Sequence, residues 1–79
     1  MEQILTFEID DFSAIVNDVS VPVHLGILKD SSGYFLVSSS PLGGDSFNGD
    51  TWHISVADAF AQAQMQFGVL QGRWRMVAA

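Results

Sequence analysis

The sequence predicts a small α+β domain in which an antiparallel β-meander of about three to five strands carries one α-helix on one face. Two local patterns support this fold class. One is a hairpin signal in the middle of the chain, and the other is a helix with start and stop signals at about residues 56–67. A chain of 79 residues has room for one domain, so we expect residues 1–79 to form a single unit.

The first predicted strand runs from Ile4 to Ile9. Its alternation would place Leu5, Phe7 and Ile9 on one face of a half-buried strand. The following segment, residues 12–21, fits neither the helical nor the strand period over enough length. It could be a short strand or an irregular crossing, and we expect Pro22 to end it.

A β-hairpin is predicted for the segments 23–29 and 34–39. They flank the sequence Asp30-Ser31-Ser32-Gly33, a polar connection that ends in glycine and is typical of hairpin loops. Apolar residues occupy both the odd and the even positions of the two arms. Both faces of this pair are therefore fairly apolar, as in the central strands of a sheet.

A long loop is predicted next, because residues 40–50 read SPLGGDSFNGD and contain a proline and three glycines. About ten residues without regular structure is long for so small a domain, and such loops often carry function. A short strand, Thr51 to Ile54, follows the loop. Near the end of the chain, residues 73–77 alternate again and could form a last edge strand or an ordered tail.

The helix is the best-defined element of the sequence. Ser55 is a good N-cap, Asp58 completes a pair similar to a capping box, and Gly68 can adopt the left-handed conformation that ends a helix. The helical period predicts a buried stripe and an exposed stripe. The buried stripe contains Val56, Phe60, Ala63 and Phe67, flanked by Ala59 and Gln64, whereas Asp58, Ala61, Gln62 and Met65 lie opposite.

A resemblance covers residues 52–74. This segment reads W-H-x-S, then a DAxxQAxxxFGV helix, and then Trp74. It resembles the C-terminal strand–helix–Trp segment of small bacterial proteins of unknown function. The resemblance implies a bacterial source and the helix, and it implies no activity.

The net charge of −6 comes from a shortage of basic residues, since the chain has nine acidic side chains but only Lys29, Arg73 and Arg75. Binding to a phosphate backbone needs lysine and arginine, so we expect no direct binding of nucleic acid. Imitation of DNA would need dense carboxylates, whereas only Asp10 and Asp11 are adjacent in sequence. Docking on a basic protein is the more natural use of this charge.

Other classes of protein are disfavoured by what the sequence lacks. It has no cysteine, so it has neither disulfides nor thiolate ligands. It shows no positively charged leader and no run of 18 apolar residues, so we expect a cytoplasmic protein that does not enter the membrane.

Candidate chemistry centres on His24 and His53, the two imidazoles of the chain, which could face one another near Asp45 or Asp50 if their strands paired. No His-x-His or His-Glu-x-x-His pattern accompanies them, so we expect neither a metal nor another cofactor. A Ser-His-Asp arrangement could be assembled from a serine, His53 and Asp50, but no nucleophile elbow is present. We therefore expect no enzymatic activity.

The remaining signal is a set of apolar residues outside the predicted core, accompanied by acidic ones. The candidate interaction surface consists of Leu42, Asp45, Phe47, Asp50, Asp58, Met65 and Trp74. The alternative interpretation is that Phe47 and Trp74 close the ends of a small core.

These residues favour a non-enzymatic interaction module, such as an inhibitor, an immunity-type protein or an accessory subunit. It would use an acidic face and the 40–50 loop against a basic protein partner, with binding that weakens in salt. One alternative is a structural homodimer that pairs through an edge strand or the Met65 face. Another is a ligand-binding protein or minor enzyme, which would require a concave pocket.

Overall fold

The computed structural model describes residues 3–40 and 48–77. It has a five-stranded antiparallel sheet in the order β4-β3-β2-β1-β5, with one helix packed against it. This confirms the predicted small α+β fold. The elements are β1 (Ile4–Val16), β2 (Val19–Lys29), β3 (Tyr34–Ser39), β4 (Gly49–His53), α1 (Val56–Phe67), a 3₁₀ turn (Gln71–Arg73) and β5 (Arg75–Met76).

The unassigned segment 12–21 is the far part of a long β1–β2 hairpin. The hairpin turns at Asn17 and Asp18, whose φ angles of 50° and 65° are the left-handed values that a tight two-residue turn needs. Asn and Asp tolerate this conformation better than most residues, which explains a turn here without glycine. The structure therefore extends the predicted first strand from Ile9 to Val16.

Two irregularities interrupt the alternation of side chains along β1, so the sequence pattern did not predict its full length. The register of β1 against β2 shifts between Leu5 and Phe7 and again between Ile9 and Phe12. An extra residue at a shift moves the following side chains to the other face. The prediction that Leu5 shares a face with Phe7 and Ile9 is therefore wrong: Leu5 pairs with Leu28, whereas Phe7 pairs with Ile27 on the opposite face.

Pro22 lies inside β2. The prediction that Pro22 ends the segment before it is therefore wrong. Its neighbour in β1 is Ser13, while the pairing of β2 with β3 begins only at His24. Pro22 thus occupies a stretch where β2 forms an edge, and a missing N–H is tolerated there. Its carbonyl oxygen accepts a hydrogen bond of 2.7 Å from the Ser40 hydroxyl.

The β2–β3 hairpin matches its prediction, and Asp30 organises its turn. One oxygen of the Asp30 carboxylate accepts hydrogen bonds from the amide and hydroxyl of Ser32, at 2.8 and 2.7 Å, and from the Gly33 amide at 3.1 Å. These donors, the Ser32 hydroxyl first, lower the pKa of Asp30 below its ordinary value of 3.8. The turn is thus held by a carboxylate whose ionised form accepts these hydrogen bonds most strongly.

Gly33 is needed where this turn meets β4. Its φ of 155° is rarely adopted by other residues, and a Cβ there would come within 2.6 Å of the His53 carbonyl oxygen and 2.9 Å of the Trp52 ring. The absence of a side chain at Gly33 lets the Trp52 ring lie over the turn.

Helix α1 begins and ends where the sequence predicted. The Ser55 hydroxyl accepts a hydrogen bond of 3.1 Å from the Asp58 amide, and Gly68, at φ 73°, donates its amide to the Gln64 carbonyl. Ala59 and Ala63 are fully buried, whereas Gln64, predicted at the flank of the buried stripe, is exposed. The small alanines allow the helix to approach the sheet closely.

The core lies between α1 and one face of the sheet. Its centre is formed by Val23, Leu25 and Ile27 of β2, which are at most 2% exposed. Aromatic rings from both layers close it, with edge-to-face pairs Phe7–Phe60 and Phe12–Phe67. No helix in the described part of the chain has the length and apolar character that crossing a membrane requires.

The chain returns to β1 after the helix, and ion pairs hold it there. β5 pairs with Phe7 and Glu8, which confirms an edge strand within residues 73–77. Arg73 binds Asp11 at 2.8 Å, and Arg75 binds Glu8 and Asp10. Both arginines therefore neutralise carboxylates of β1.

Candidate functional site

The sheet face opposite the helix carries a continuous apolar row. The strand registers align Leu5 with Leu28, Leu28 with Phe35, and Phe35 with Trp52, so the row crosses β1, β2, β3 and β4. Leu5, Leu28 and Phe35 are half-buried, and Trp52 is 50% exposed. An antiparallel sheet with one packed face usually presents polar residues on the other, so this apolar row is a departure from the norm.

The neighbouring row on the same face is mixed. It runs from Arg75 through Glu8, Gly26 and Val37 to Asp50. A Cβ on Gly26 would lie 3.1 Å from a Leu5 methyl and 3.3 Å from a Val37 methyl, so these side chains close over the glycine. The apolar surface therefore continues from the first row to Val37, with the Arg75–Glu8 ion pair at one end of the second row and the Asp50 carboxylate at the other.

Strand β4 is the outermost strand next to β3, and in the described residues it pairs with β3 alone. Its side chains alternate between the two faces. Asp50 and Trp52 lie on the uncovered face, whereas Thr51 and His53 lie on the face that the helix covers. The sequence had predicted this alternation for Trp52 and His53, although the strand spans Gly49–His53 and not Thr51–Ile54.

A cleft of about 180 Å³ lies on the helix side of this edge. β3 contributes Leu36 and Ser38 to its walls, and the end of α1 contributes Gln66 and Phe67. The remaining wall is the start of β4 with the residue before it, from Asn48 to Thr51. The cleft is thus a groove between an edge strand and the C-terminal turn of the helix.

His53 ties β4 to the start of α1. Its Nδ1 lies 2.8 Å from an Asp58 carboxylate oxygen, and its Nε2 lies 2.7 Å from the Thr51 hydroxyl. A carboxylate only accepts hydrogen bonds, so Nδ1 carries a proton and, in the neutral ring, Nε2 accepts from Thr51. Asp58 was predicted to complete a capping box, but its carboxylate binds His53 instead, while its amide is capped by Ser55.

The order hydroxyl, imidazole, carboxylate is that of a hydrolytic triad. The sequence had suggested Asp50 as the carboxylate, which is wrong, because Asp50 lies on the other face of β4. The His53 side chain is only 8% exposed, so it has little open surface from which to protonate a leaving group. The arrangement fully satisfies a buried imidazole and works as a tether between β4 and α1.

The two histidines do not face one another, contrary to one sequence-based possibility. His24 lies opposite Ser39, and β3 separates its strand from β4. Its imidazole is half-exposed and 3.5 Å from Glu8. No group of three or more His, Cys, Asp or Glu side chains that could hold a metal ion occurs within residues 3–40 and 48–77.

Among the predicted interaction residues that the structure describes, Asp50 lies on the sheet face away from the helix that carries Asp58 and Met65. Asp50 is exposed at the sheet edge, Asp58 is exposed beside His53, and Met65 is 84% exposed on the outer side of the helix. Leu42, Asp45 and Phe47 lie outside the described residues. Within the described chain, the ends of their segment are joined by Asn48, whose side-chain amide makes two hydrogen bonds of 2.9 Å with the Ser40 backbone.

Trp74 is not a surface residue, so its assignment to the interaction surface is wrong. It is 8% exposed, belongs to the core and lies 5.8 Å from the Phe60 ring. The alternative, that Trp74 closes one end of the core, is the correct one. Its indole N–H is buried without a hydrogen-bond partner among the described residues.

Sequence reasoning missed the apolar row, although its signal was present. Both arms of the central hairpin are apolar at odd and even positions, which is typical of a central pair of strands. Among the described residues α1 is the only α-helix, and it packs on one face of the sheet. Comparison with protein-family models, curated proteins and solved structures finds no match to this chain.

Proposed function

We propose that this protein is a small non-enzymatic interaction module, of the inhibitor, immunity or accessory-subunit type, that acts in the cytoplasm of a bacterium. The observation that supports this function best is the apolar row from Leu5 to Trp52 on the uncovered face. A contiguous row of partly exposed apolar side chains on the surface of a domain is typical of a protein interaction site. Tryptophan is among the residues that contribute most to protein interfaces.

The expected partner is a protein with basic groups around an apolar patch. The net charge is −6, and the arginines are already bound to Glu8, Asp10 and Asp11. These ion pairs leave Asp50 as the carboxylate beside the apolar row at the β4 edge. Charge of this sign mainly speeds association with a basic partner and excludes acidic ones.

The test is affinity capture from a bacterial lysate at low and moderate salt, using the wild-type chain, Phe35→Thr and Leu70→Gln. Phe35 lies in the apolar row, whereas Leu70 is an apolar control that is 61% exposed just before the 3₁₀ turn. We expect a stoichiometric partner to be retained by the wild type and Leu70→Gln and lost by Phe35→Thr. Circular dichroism verifies that each variant is folded.

A partner retained by Phe35→Thr would contradict the use of this face, and a partner unaffected by salt would contradict the basic chemistry. The homodimer remains the second candidate, because the same uncovered face could pack on its own copy. Sedimentation over a dilution series distinguishes the two. If the wild type forms a dimer that Phe35→Thr does not form, the partner on this face is a second copy of the chain and not another protein.

A further inference from the structure

We propose that the outer edge of β4 is a strand-addition site for an extended peptide segment that carries a basic residue two positions from a large apolar residue. This proposal rests on the proposed interaction function and assigns the partner's conformation and chemistry. An edge strand presents unpaired backbone N–H and C=O groups, and a peptide can add to it as a further strand. In the described residues, β4 has β3 as its only neighbouring strand.

The surroundings of β4 suit such a peptide. The 180 Å³ cleft runs between the start of β4 and the last turn of α1, where Gln66 and Phe67 form the far wall. A strand added to β4 would place every second side chain toward this cleft. The helix end therefore gives the added strand a second contact besides its backbone hydrogen bonds.

The walls of the groove are held in place before any peptide binds. His53 links β4 to Asp58 of the helix through a 2.8 Å hydrogen bond, and Asn48 is bound to the Ser40 backbone just before the strand begins. A preformed groove lowers the ordering cost of binding, which favours recognition of a short segment.

The chemistry of the peptide follows from the other face of β4. Asp50 and Trp52 are exposed there, two residues apart on one side of the strand. In an antiparallel pair, the directly opposite side chains lie about 4.5–5.5 Å apart. A lysine or arginine would then lie opposite Asp50, and an apolar or aromatic side chain would lie opposite Trp52.

A second copy of the chain fits this edge less well than a basic peptide. Two copies would each bring a net charge of −6, and strand addition would bring their Asp50 carboxylates into the same interface. The arginines are at β5 and the turn before it, at the opposite side of the sheet, where they bind β1 carboxylates, and Lys29 lies over the Tyr34 ring at the β2–β3 turn. A partner must therefore supply the positive charge at β4.

The experiment starts with a display library of random decapeptides selected against the wild-type chain at low salt. We expect enrichment of peptides with lysine or arginine two positions from a large apolar residue, without proline between them. Synthetic versions are then measured against the wild type, Asp50→Asn, Trp52→Thr and the control Leu70→Gln, which changes an exposed residue outside the sheet. We expect about two- to fivefold weaker binding for Asp50→Asn, about tenfold weaker for Trp52→Thr, and no change for the control.

N-methylation of the peptide tests the binding geometry. In an added strand, alternate backbone amides point toward β4 and the others point to solvent. We therefore expect methylation to weaken binding about tenfold or more at every second position and to have little effect between them. A binding mode made by side chains alone would lack this period.

Several outcomes would overturn the strand-addition site. They are a library without enriched binders, binding equal in Trp52→Thr and wild type, or N-methyl effects without a period of two. Self-association through β4 would also overturn it. If lysate capture still yields a partner that depends on Phe35 while these peptides fail, the interaction function stands and only the β4 site is wrong.

Discussion

The two faces of the sheet are built from the same strands but meet different surroundings. In β2, Ile27 is fully buried under the helix, while the next residue, Leu28, is half-buried on the uncovered face. Both are aliphatic residues in the centre of the sheet. The difference arises because α1 is the only α-helix among the described residues, and it covers one face of the sheet. Apolar character alone therefore does not determine which face becomes core.

The largest expected effect compares these neighbours directly. We expect Ile27→Ala to lower the free energy of unfolding by about 2–5 kcal/mol, because it leaves a cavity in a closely packed core. Leu28→Ala should cost roughly half of that or less, since part of its side chain is already in water. Urea titration of both variants measures the two values. Equal losses would mean that the uncovered face contributes to stability as the core does.

Gly33→Ala tests how the turn supports the uncovered face. We expect a loss of about 1–3 kcal/mol, because φ is 155° and the new Cβ would meet the His53 carbonyl and the Trp52 ring. Tryptophan fluorescence should change in this variant, since the Trp52 ring must move. Gly49→Ala is the matched control in β4, because a Cβ there has open space and should cost little. An unchanged stability of Gly33→Ala would contradict this packing.

Thr51→Val tests the tether on the covered face. The change removes the hydroxyl that donates to His53 at 2.7 Å and keeps the branched shape that suits a strand. We expect a loss of about 1 kcal/mol, measured by thermal unfolding, since a buried ring nitrogen loses its partner. Ser39→Val on β3 is an exposed control outside this network. A loss no greater than that of the control would mean that the His53 network does not hold β4.

The smallest effect concerns Asp30, at the turn between the two central strands. Its pKa is lowered in the folded protein, mainly by the Ser32 hydroxyl, so its ionised form stabilises the fold at neutral pH. This contribution is present above the pKa that Asp30 has in the unfolded chain. It is lost as the pH falls through the lower pKa that Asp30 has in the folded protein. We therefore expect Asp30→Asn to be slightly less stable than wild type at pH 7 and equal to it in strong acid. A difference that persists in acid would contradict this cause.

Local signals predicted the elements that depend on local contacts. Ser55 and Gly68 marked the ends of α1, and Asp30 to Gly33 marked the central turn, because caps and turns are made within a few residues. The far half of the β1–β2 hairpin escaped prediction because two register shifts interrupt its alternation. A register shift depends on the partner strand, which is distant in sequence.

The candidate site was predictable only in part. Asp50 was singled out and lies at the proposed edge, and Trp52 was predicted on the side of its strand opposite Thr51 and His53, as the structure has it. The apolar row was missed because its members come from four strands and align only through the registers. Trp74 was misjudged because an aromatic residue near the end of a chain gives no local sign of whether the core reaches it.

The amino-acid sequence alone predicts the fold class, the helix with its caps and the central hairpin, and it shows the shortage of basic residues. These properties follow from composition and from interactions between near neighbours. Tertiary packing determines that His53 binds Asp58 and Thr51, that Trp74 is core, and that the described residues leave one apolar face uncovered beside an edge strand. Those outcomes depend on which distant segments pack together, because a single helix can cover only one face of a sheet.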